Sequence, residues 1–227
     1  MDILYGKPIA EAILQDAKSQ AKKIGRKPTL CVFCDNVNPY YTGILRDAER
    51  CGIAVQTRAT APDYWTYLDS GWDAMISMIP GFKPMDSWDV DGGFMTPCTA
   101  EAVMLILQHY DIPIEGKNVC IIGRSERVGK PTAKLMLEAN ATVIVCHSKT
   151  RDLAWHTTGA DIIVSCAGNA GFDRRIIPSH AVVVDIGGDF LEPEQIHCAA
   201  MVPYIGGVGP VTRAVLMRHV CEKARGY

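Results

Sequence analysis

One stretch constrains this chain more than any other: residues 119–131 read VCIIGRSERVGKP. An apolar run of strand length enters a turn with glycines at 123 and 129, and a helical pattern begins where the turn ends. The first glycine permits a tight turn, and the second lets helix and strand pack closely. The helix start then offers free backbone N–H groups and a positive dipole end to an anion. Ser125 stands where the middle glycine of the common fingerprint would be, and any strand-to-helix turn tolerates glycine, so the motif alone is weak. A second strand pattern at 142–146 follows at the right interval and turns the stretch into a candidate dinucleotide site.

That strand runs into Cys146-His147-Ser148-Lys149-Thr150. An NAD site places an acid near this point for the ribose hydroxyls. Here Ser148, Lys149 and, on the first turn, Arg124 offer a hydroxyl and cations, which suit the additional phosphate of NADP. NADP is the expected cofactor, with NAD possible. The alternative is that Lys149 and Thr150 only cap the next helix, and His147 either touches nucleotide or caps.

Around this centre the pattern predicts a parallel α/β fold in two lobes. Strands are expected over 118–122, 142–146, 161–166 and 181–186, with helices over 128–139, 151–158 and 211–224. A smaller alternation precedes it: helix 9–24, strand 29–34, helix 40–51 opened by Pro39 and ended by Gly52, strand 53–57, a weak helix, strand 73–79. A loop-rich stretch, 80–97, leads to Thr99, read as the cap of a helix over 100–110. The lobe boundary falls near residue 98.

Composition excludes several classes. The chain has 227 residues, 48% of them hydrophobic, which is enough for a core and too apolar for disorder. With 23 basic and 25 acidic residues the net charge is -2, so no nucleic-acid partner is expected. No apolar run reaches membrane-spanning length and no secretory signal opens the chain, so a soluble cytoplasmic protein with no membrane partner is expected. The nine cysteines are odd in number and several lie in strand-like runs, which fits buried reduced thiols. Cys31 and Cys34 have the spacing of half a metal or redox site, but no second pair follows, and no metal is expected.

The chain resembles the bifunctional methylenetetrahydrofolate dehydrogenase/methenyltetrahydrofolate cyclohydrolase family as a shortened, divergent member. The likeness rests on Gly123-Arg-Ser-x-x-Val128-Gly129-x-Pro131, Cys146-His-Ser-Lys-Thr150, Asp89-Val-Asp91-Gly92, Pro97-Cys-Thr99 and Gly206-Gly-Val-Gly-Pro-Val-Thr212. Gly6-Lys7 and Asn38-Pro39 fall in the same order. The resemblance implies an oxidoreductase of one-carbon metabolism. It passes hydride from methylenetetrahydrofolate to NADP across a cleft between the lobes, and in the family a hydrolytic step then follows. It also implies a homodimer formed through the nucleotide-binding domain.

By resemblance, residues 1–98 form the folate-site domain, 99–210 the Rossmann-like nucleotide-binding domain, and 211–227 a helix returning to the first. Tyr40 and Asp91 would be catalytic, Asp91 holding the pterin. Tyr41, Ile44, Met78 and the turn Gly207-Val208-Gly209-Pro210 would line the substrate. Gly123, Arg124, Ser125, Val128, Gly129, Pro131, His147, Ser148, Lys149, Thr150, Cys166, Ala167, Gly168, Asp185 and Gly187 would bind or border the cofactor. Core packing is the alternative for at least one of Tyr40 and Tyr41, and Asp89 is read as structural.

Two departures bear on the chemistry. The family's hydrolytic step uses a tyrosine followed four residues on by a lysine; here Tyr40 is followed by Ile44. Anchoring one residue later gives Tyr41 and Leu45, again without an amine. Arg46 is the nearest cation, and a guanidinium does not deprotonate to act as base. A glutamine before a Leu-Pro pair is replaced by Met78 before Ile79-Pro80. The hydrolytic half is therefore expected to be missing. The chain is also short around 61–71, 94–96 and after Asp189, with Trp65, Trp72 and Trp88 in or near that region as a possible apolar floor.

Overall fold

The computed structural model describes residues 1–59, 72–78, 96–168, 172–190 and 195–226. The chain divides into two compact units: Met1–Ile9 with Pro97–Thr212, and Ala10–Thr96 with Arg213–Tyr227. The first nine residues thus leave the expected 1–98 domain and join the later one. The residues after 212 group with the N-terminal layer. Two of the three dividing points fall inside helices, α1 (Lys7–Lys23) and α6 (Val208–Ala224).

The first unit is a six-stranded parallel sheet. Its strands are β1 (Asp2–Ile3), β5 (Asn118–Ile122), β6 (Thr142–Cys146), β7 (Ile162–Ser165), β8 (Val182–Asp185) and β9 (Ala200–Val202), in the order β1-β9-β8-β7-β5-β6. Strands β7 and β8 are buried at every residue, as befits parallel strands covered on both faces. Ile122, Cys146, Ile163, Val183 and Met201 belong to one core cluster. Helices α3 (Cys98–His109), α4 (Gly129–Glu138) and α5 (Leu153–Thr157) complete the unit's regular helices among the described residues. The sheet's direction of growth reverses at β5, with β6 on one side and β7 on the other, so the carboxyl ends of β5 and β7 form a topological switch point.

Several expected boundaries move for local reasons. The chain enters α3 at Cys98 with Pro97 in the cap position and no side-chain cap, so Thr99 lies inside the first turn. Asp152 rather than Thr150 caps α5, its carboxylate accepting the Trp155 N–H at 3.2 Å. Helix α6 begins at Val208, so Val208, Gly209 and Pro210 form its first turn instead of a loop.

The second unit carries a three-stranded parallel sheet of β2 (Thr29–Phe33), β3 (Ala54–Arg58) and β4 (Ala74–Ser77), in the order β3-β2-β4. The weak helix expected between β3 and β4, the 80–95 part of the loop-rich stretch, Trp65 and Trp88 lie outside the described residues. Helix α2 (Pro39–Cys51) is delimited at both ends by sequence. The Asn38 side chain accepts the Tyr41 N–H at 3.0 Å, Pro39 has no N–H to leave unpaired, and Gly52 turns left-handed at φ 76°. Trp72 stands edge-on to Phe33 and donates to the Gln56 side chain at 3.0 Å.

Asp73 ties the start of this sheet together. Its carboxylate accepts the Thr29 N–H at 2.7 Å and the Arg26 guanidinium at 2.8 Å. Burial pushes the Asp73 pKa up, but the Arg26 and Thr29 donors outweigh it and hold the group below the usual carboxylate range. A folded pKa below the unfolded one means stabilisation above the ordinary carboxylate pKa, lost as pH falls through the folded value. Asp73→Asn is therefore expected to lower Tm by about 4 °C at pH 7, and the gap to the parent should narrow as pH falls through and below the ordinary carboxylate range. Thermal melts of both proteins across that range check it; a gap independent of pH would remove Asp73 from the account.

Candidate functional site

The turn after β5 is built on close backbone approaches. Gly123, at φ +131°, passes so near β7's end that a Cβ there would lie 2.6 Å from Cys166 Sγ and 2.8 Å from the Cys166 carbonyl oxygen. A Cβ on Gly129 would lie 2.3 Å from the Gly123 carbonyl oxygen. Ser125, in place of a middle glycine, braces the helix start, because its Oγ accepts the Val128 and Gly129 N–H groups at 3.2 and 3.3 Å. These are the first donors of α4, held long and exchangeable for an anion's oxygens. Arg124 is exposed beside them, while Gly129 and Pro131 are buried against the sheet.

The turn after β6 closes on itself. His147 N–H donates to Thr150 Oγ1 at 2.9 Å, and Thr150 N–H donates to the His147 carbonyl at 2.8 Å. The Lys149 N–H donates to His147 Nδ1 at 3.1 Å, which fixes that nitrogen as the acceptor. Thr150 thus shapes the turn, and Ser148 and Lys149 are left exposed. The helix-cap alternative for these residues falls to Asp152.

At the carboxyl ends of β7 and β8 two loops interlock. A Cβ on Gly187 would lie 2.7 Å from the Gly168 nitrogen, and Gly168 itself is left-handed at φ +66°. Asp185 is fully buried and its carboxylate accepts the N–H groups of Gly188, Asp189 and Phe190 at 2.9–3.0 Å. Burial raises the Asp185 pKa. Its carboxylate therefore holds a turn and is directed inward, whereas a cofactor contact was expected. Asp189 carries no motif in the sequence, yet it accepts from Ser165 Oγ and from the Ala167 N–H at 3.2 Å, fastening one loop to the other. Burial pushes the Cys166 thiol up to about 11, so it is protonated at neutral pH.

In the second unit, the expected substrate residues divide. Tyr40 is half-buried at the start of α2. Tyr41 turns inward, its hydroxyl 2.8 Å from Thr57 Oγ1. Ile44 is fully buried with Ala48 and Cys51, so both Tyr41 and Ile44 are core side chains where a substrate lining was expected. Met78 follows β4, its N–H donating to the Phe33 carbonyl at 2.8 Å, and it is half-buried at the same carboxyl end of the sheet as Tyr40. Asp91 and Asp89 lie outside the described residues. Arg213, which no sequence motif marks, is ion-paired with Asp47 at 2.8 Å. Among the described residues no group of three or more His, Cys, Asp or Glu is placed to hold a metal ion, and all nine cysteines are free. Cys31 is fully buried and Cys34 donates to the Asn36 carbonyl at 2.8 Å.

A parallel sheet with a glycine cradle at its switch point, opening onto a helix start, defines a dinucleotide-binding α/β domain. The residues fit such a group: at Gly123 and Gly129 the backbone approaches too closely for any side chain, and cationic and hydroxyl side chains stand exposed on both turns. Residues 97–227 match the tetrahydrofolate dehydrogenase/cyclohydrolase NAD(P)-binding domain. The bifunctional protein FolD of Nocardia farcinica is 36% identical over 278 aligned positions, covering 99% of this chain and 98% of the relative. That of Caldanaerobacter subterraneus subsp. tengcongensis is 41% identical, with 97% and 95% covered. The crystal structure of the bifunctional FolD enzyme from Campylobacter jejuni superposes with a TM-score of 0.83 at 28% identity, covering 99% of both chains. The chain belongs to the tetrahydrofolate dehydrogenase/cyclohydrolase family. Because the Nocardia alignment spans more positions than this chain has residues, the missing length is internal.

Proposed function

We propose that this chain is an NADP-dependent methylenetetrahydrofolate dehydrogenase that forms methenyltetrahydrofolate and has lost its hydrolysis. When bound, the nicotinamide supplies the hydride acceptor. The chain's own part is binding and orientation, because a carbon flanked by two nitrogens gives up hydride with little proton chemistry from the protein. Gly123 and Gly129 admit the pyrophosphate to the backbone, with Val128 and Pro131 setting the start of α4. Arg124, Ser148 and Lys149 take the 2′-phosphate, and His147 and Thr150 hold that turn's shape. Cys166, Ala167, Gly168 and Gly187 border the nicotinamide. By the family likeness Asp91 is assigned to the pterin, and Tyr40 and Met78, on the second unit, are assigned to the folate.

The observation that carries the loss of hydrolysis is Ile44, apolar and fully buried one helical turn after Tyr40. With Ile44 and Met78 in place of an amine and an amide, no side chain at those two positions can activate or orient a hydrolytic water. We further propose a cytoplasmic homodimer joined along β6, the last strand of its sheet among the described residues. Ile144 and Val145 are 39% and 38% exposed there. A reducing compartment suits the nine free thiols. No helix among the described residues is long and apolar enough to cross a membrane.

The test is a spectrophotometric assay of the purified protein with methylenetetrahydrofolate and either NADP or NAD. Methenyltetrahydrofolate should accumulate with NADP and decay at the rate seen in buffer alone, at least about tenfold faster formation being expected with NADP than with NAD. Light scattering on the same preparation should give twice the 24.8 kDa chain mass. Enzyme-dependent decay of the methenyl product would sink the claim of lost hydrolysis. Absence of any nicotinamide reduction would sink the dehydrogenase.

A further inference from the structure

On the second unit's helix α2, Tyr40, Gly43 and Asp47 share one face, and a single arginine from α6 lies across all three. Arg213 Nε donates to Asp47 Oδ2 at 2.8 Å, the two side chains being 12% and 3% exposed. The guanidinium carbon stands 5.8 Å from the centre of the Tyr40 ring, within cation–π range. Gly43 is the reason the arginine can lie there. A Cβ at that position would come within 2.6 Å of Arg213 Nε, 2.8 Å of Cζ and 3.0 Å of Cδ. Glycine is unfavourable in a helix interior, so position 43 gives up helix propensity to admit a side chain from elsewhere in the sequence. Arg46 and Arg50 approach the same Asp47 carboxylate at 3.5 and 3.9 Å and help to hold it.

We propose that Arg213 is a positioning residue of the folate site, fixing the ring of Tyr40. The assignment rests on the reading of Tyr40 as a folate-site residue. Arg213 uses Nε on Asp47, which orients the plane of the guanidinium, and the Tyr40 ring packs against that oriented cation. A ring already held in place costs less ordering when a ligand binds against it.

The experiment is steady-state kinetics of the full chain with methylenetetrahydrofolate at saturating NADP. Arg213→Met is expected to raise the folate KM about five- to tenfold, with kcat within about twofold and the NADP KM unchanged. Arg213→Lys should recover part of the loss. On a Tyr40→Leu background, Arg213→Met should add almost nothing, because its effect runs through the ring. A merely structural arginine would lower Tm and the active fraction without moving KM. If Arg213→Met fails to fold because Asp47 is left buried without its partner, the Asp47→Asn/Arg213→Met pair removes that charge and gives the same readout. An unchanged folate KM, or a full additive loss on the Tyr40→Leu background, overturns the assignment while leaving the proposed function standing. A parent protein that neither binds nor turns over methylenetetrahydrofolate overturns both.

Discussion

Gly129→Ala is expected to raise the dissociation constant for the dinucleotide at least about a hundredfold, a loss of roughly 3 kcal/mol in binding. The added methyl carbon would sit 2.3 Å from the Gly123 carbonyl oxygen, 2.7 Å from its carbon and 3.0 Å from the Arg124 Cα. All three are backbone atoms, so no rotamer change relieves the clash. Gly123 cannot retreat either, because it is itself pressed against Cys166 and held by its N–H bond to the Cys146 carbonyl at 2.9 Å. The remaining relief is for α4 to move away from the turn, which pulls the Val128 and Gly129 donors off the anion position. Isothermal titration with NADP reads the effect directly. Gly159→Ala, where a Cβ meets nothing within 4 Å, is the matched control and should bind as the parent does. Binding by Gly129→Ala within threefold of the parent would mean that this cradle does not hold the pyrophosphate.

The part of this fold that was legible in sequence is the part built from local signals. β2, α2 and β3 follow from an apolar run, Asn38-Pro39 at one end and Gly52 at the other, and the turn after β5 follows from its glycines. What was not legible depends on partners far along the chain. Strands β1 and β9 are two and three residues long, too short for periodicity, and exist because Asp2 and Ile3 pair with Ala200 and Met201. The inward duty of Asp185 and the tie through Asp189 arise from burial, which a run of Val-Val-Val-Asp does not announce on the acid. Arg213 and Asp47 are separated by 166 positions, so no spacing rule joins them. The one local trace was Gly43, a glycine inside a helix with no turn to explain it. The family likeness supplied names for the site residues. Burial then separated Tyr40 from Tyr41, which the likeness and the sequence pattern had left together.

The largest loss of stability is expected at Gly207, where backbone is stacked on backbone within the first unit. A Cβ on Gly207 would lie 2.1 Å from the Pro203 carbonyl oxygen and 2.8 Å from Val202 Cγ1. On its other side the Gly207 carbonyl oxygen would be 2.1 Å from a Cβ on Gly6, whose N–H also donates to the Gly206 carbonyl at 2.9 Å. Gly6, the 203–207 turn and the start of α6 are thus locked in a layer with no room for one carbon. Gly207→Ala and Gly6→Ala should each cost about 3 kcal/mol or more and lower Tm by roughly 10 °C. Gly206→Ala meets only the edge of Tyr5 at 3.4 Å, and its cost comes from the left-handed φ of +81°, about 1–2 kcal/mol. Gly209→Ala, in the first turn of α6 with nothing within 4 Å, should leave stability unchanged or raise it slightly. Urea titrations of the four single variants should therefore rank Gly207 and Gly6 together, then Gly206, then Gly209. A Gly209→Ala variant as unstable as Gly207→Ala would point to helix propensity rather than backbone contact as the cause. Gly6 is thus what pins the turn that starts α6, from the other end of the chain.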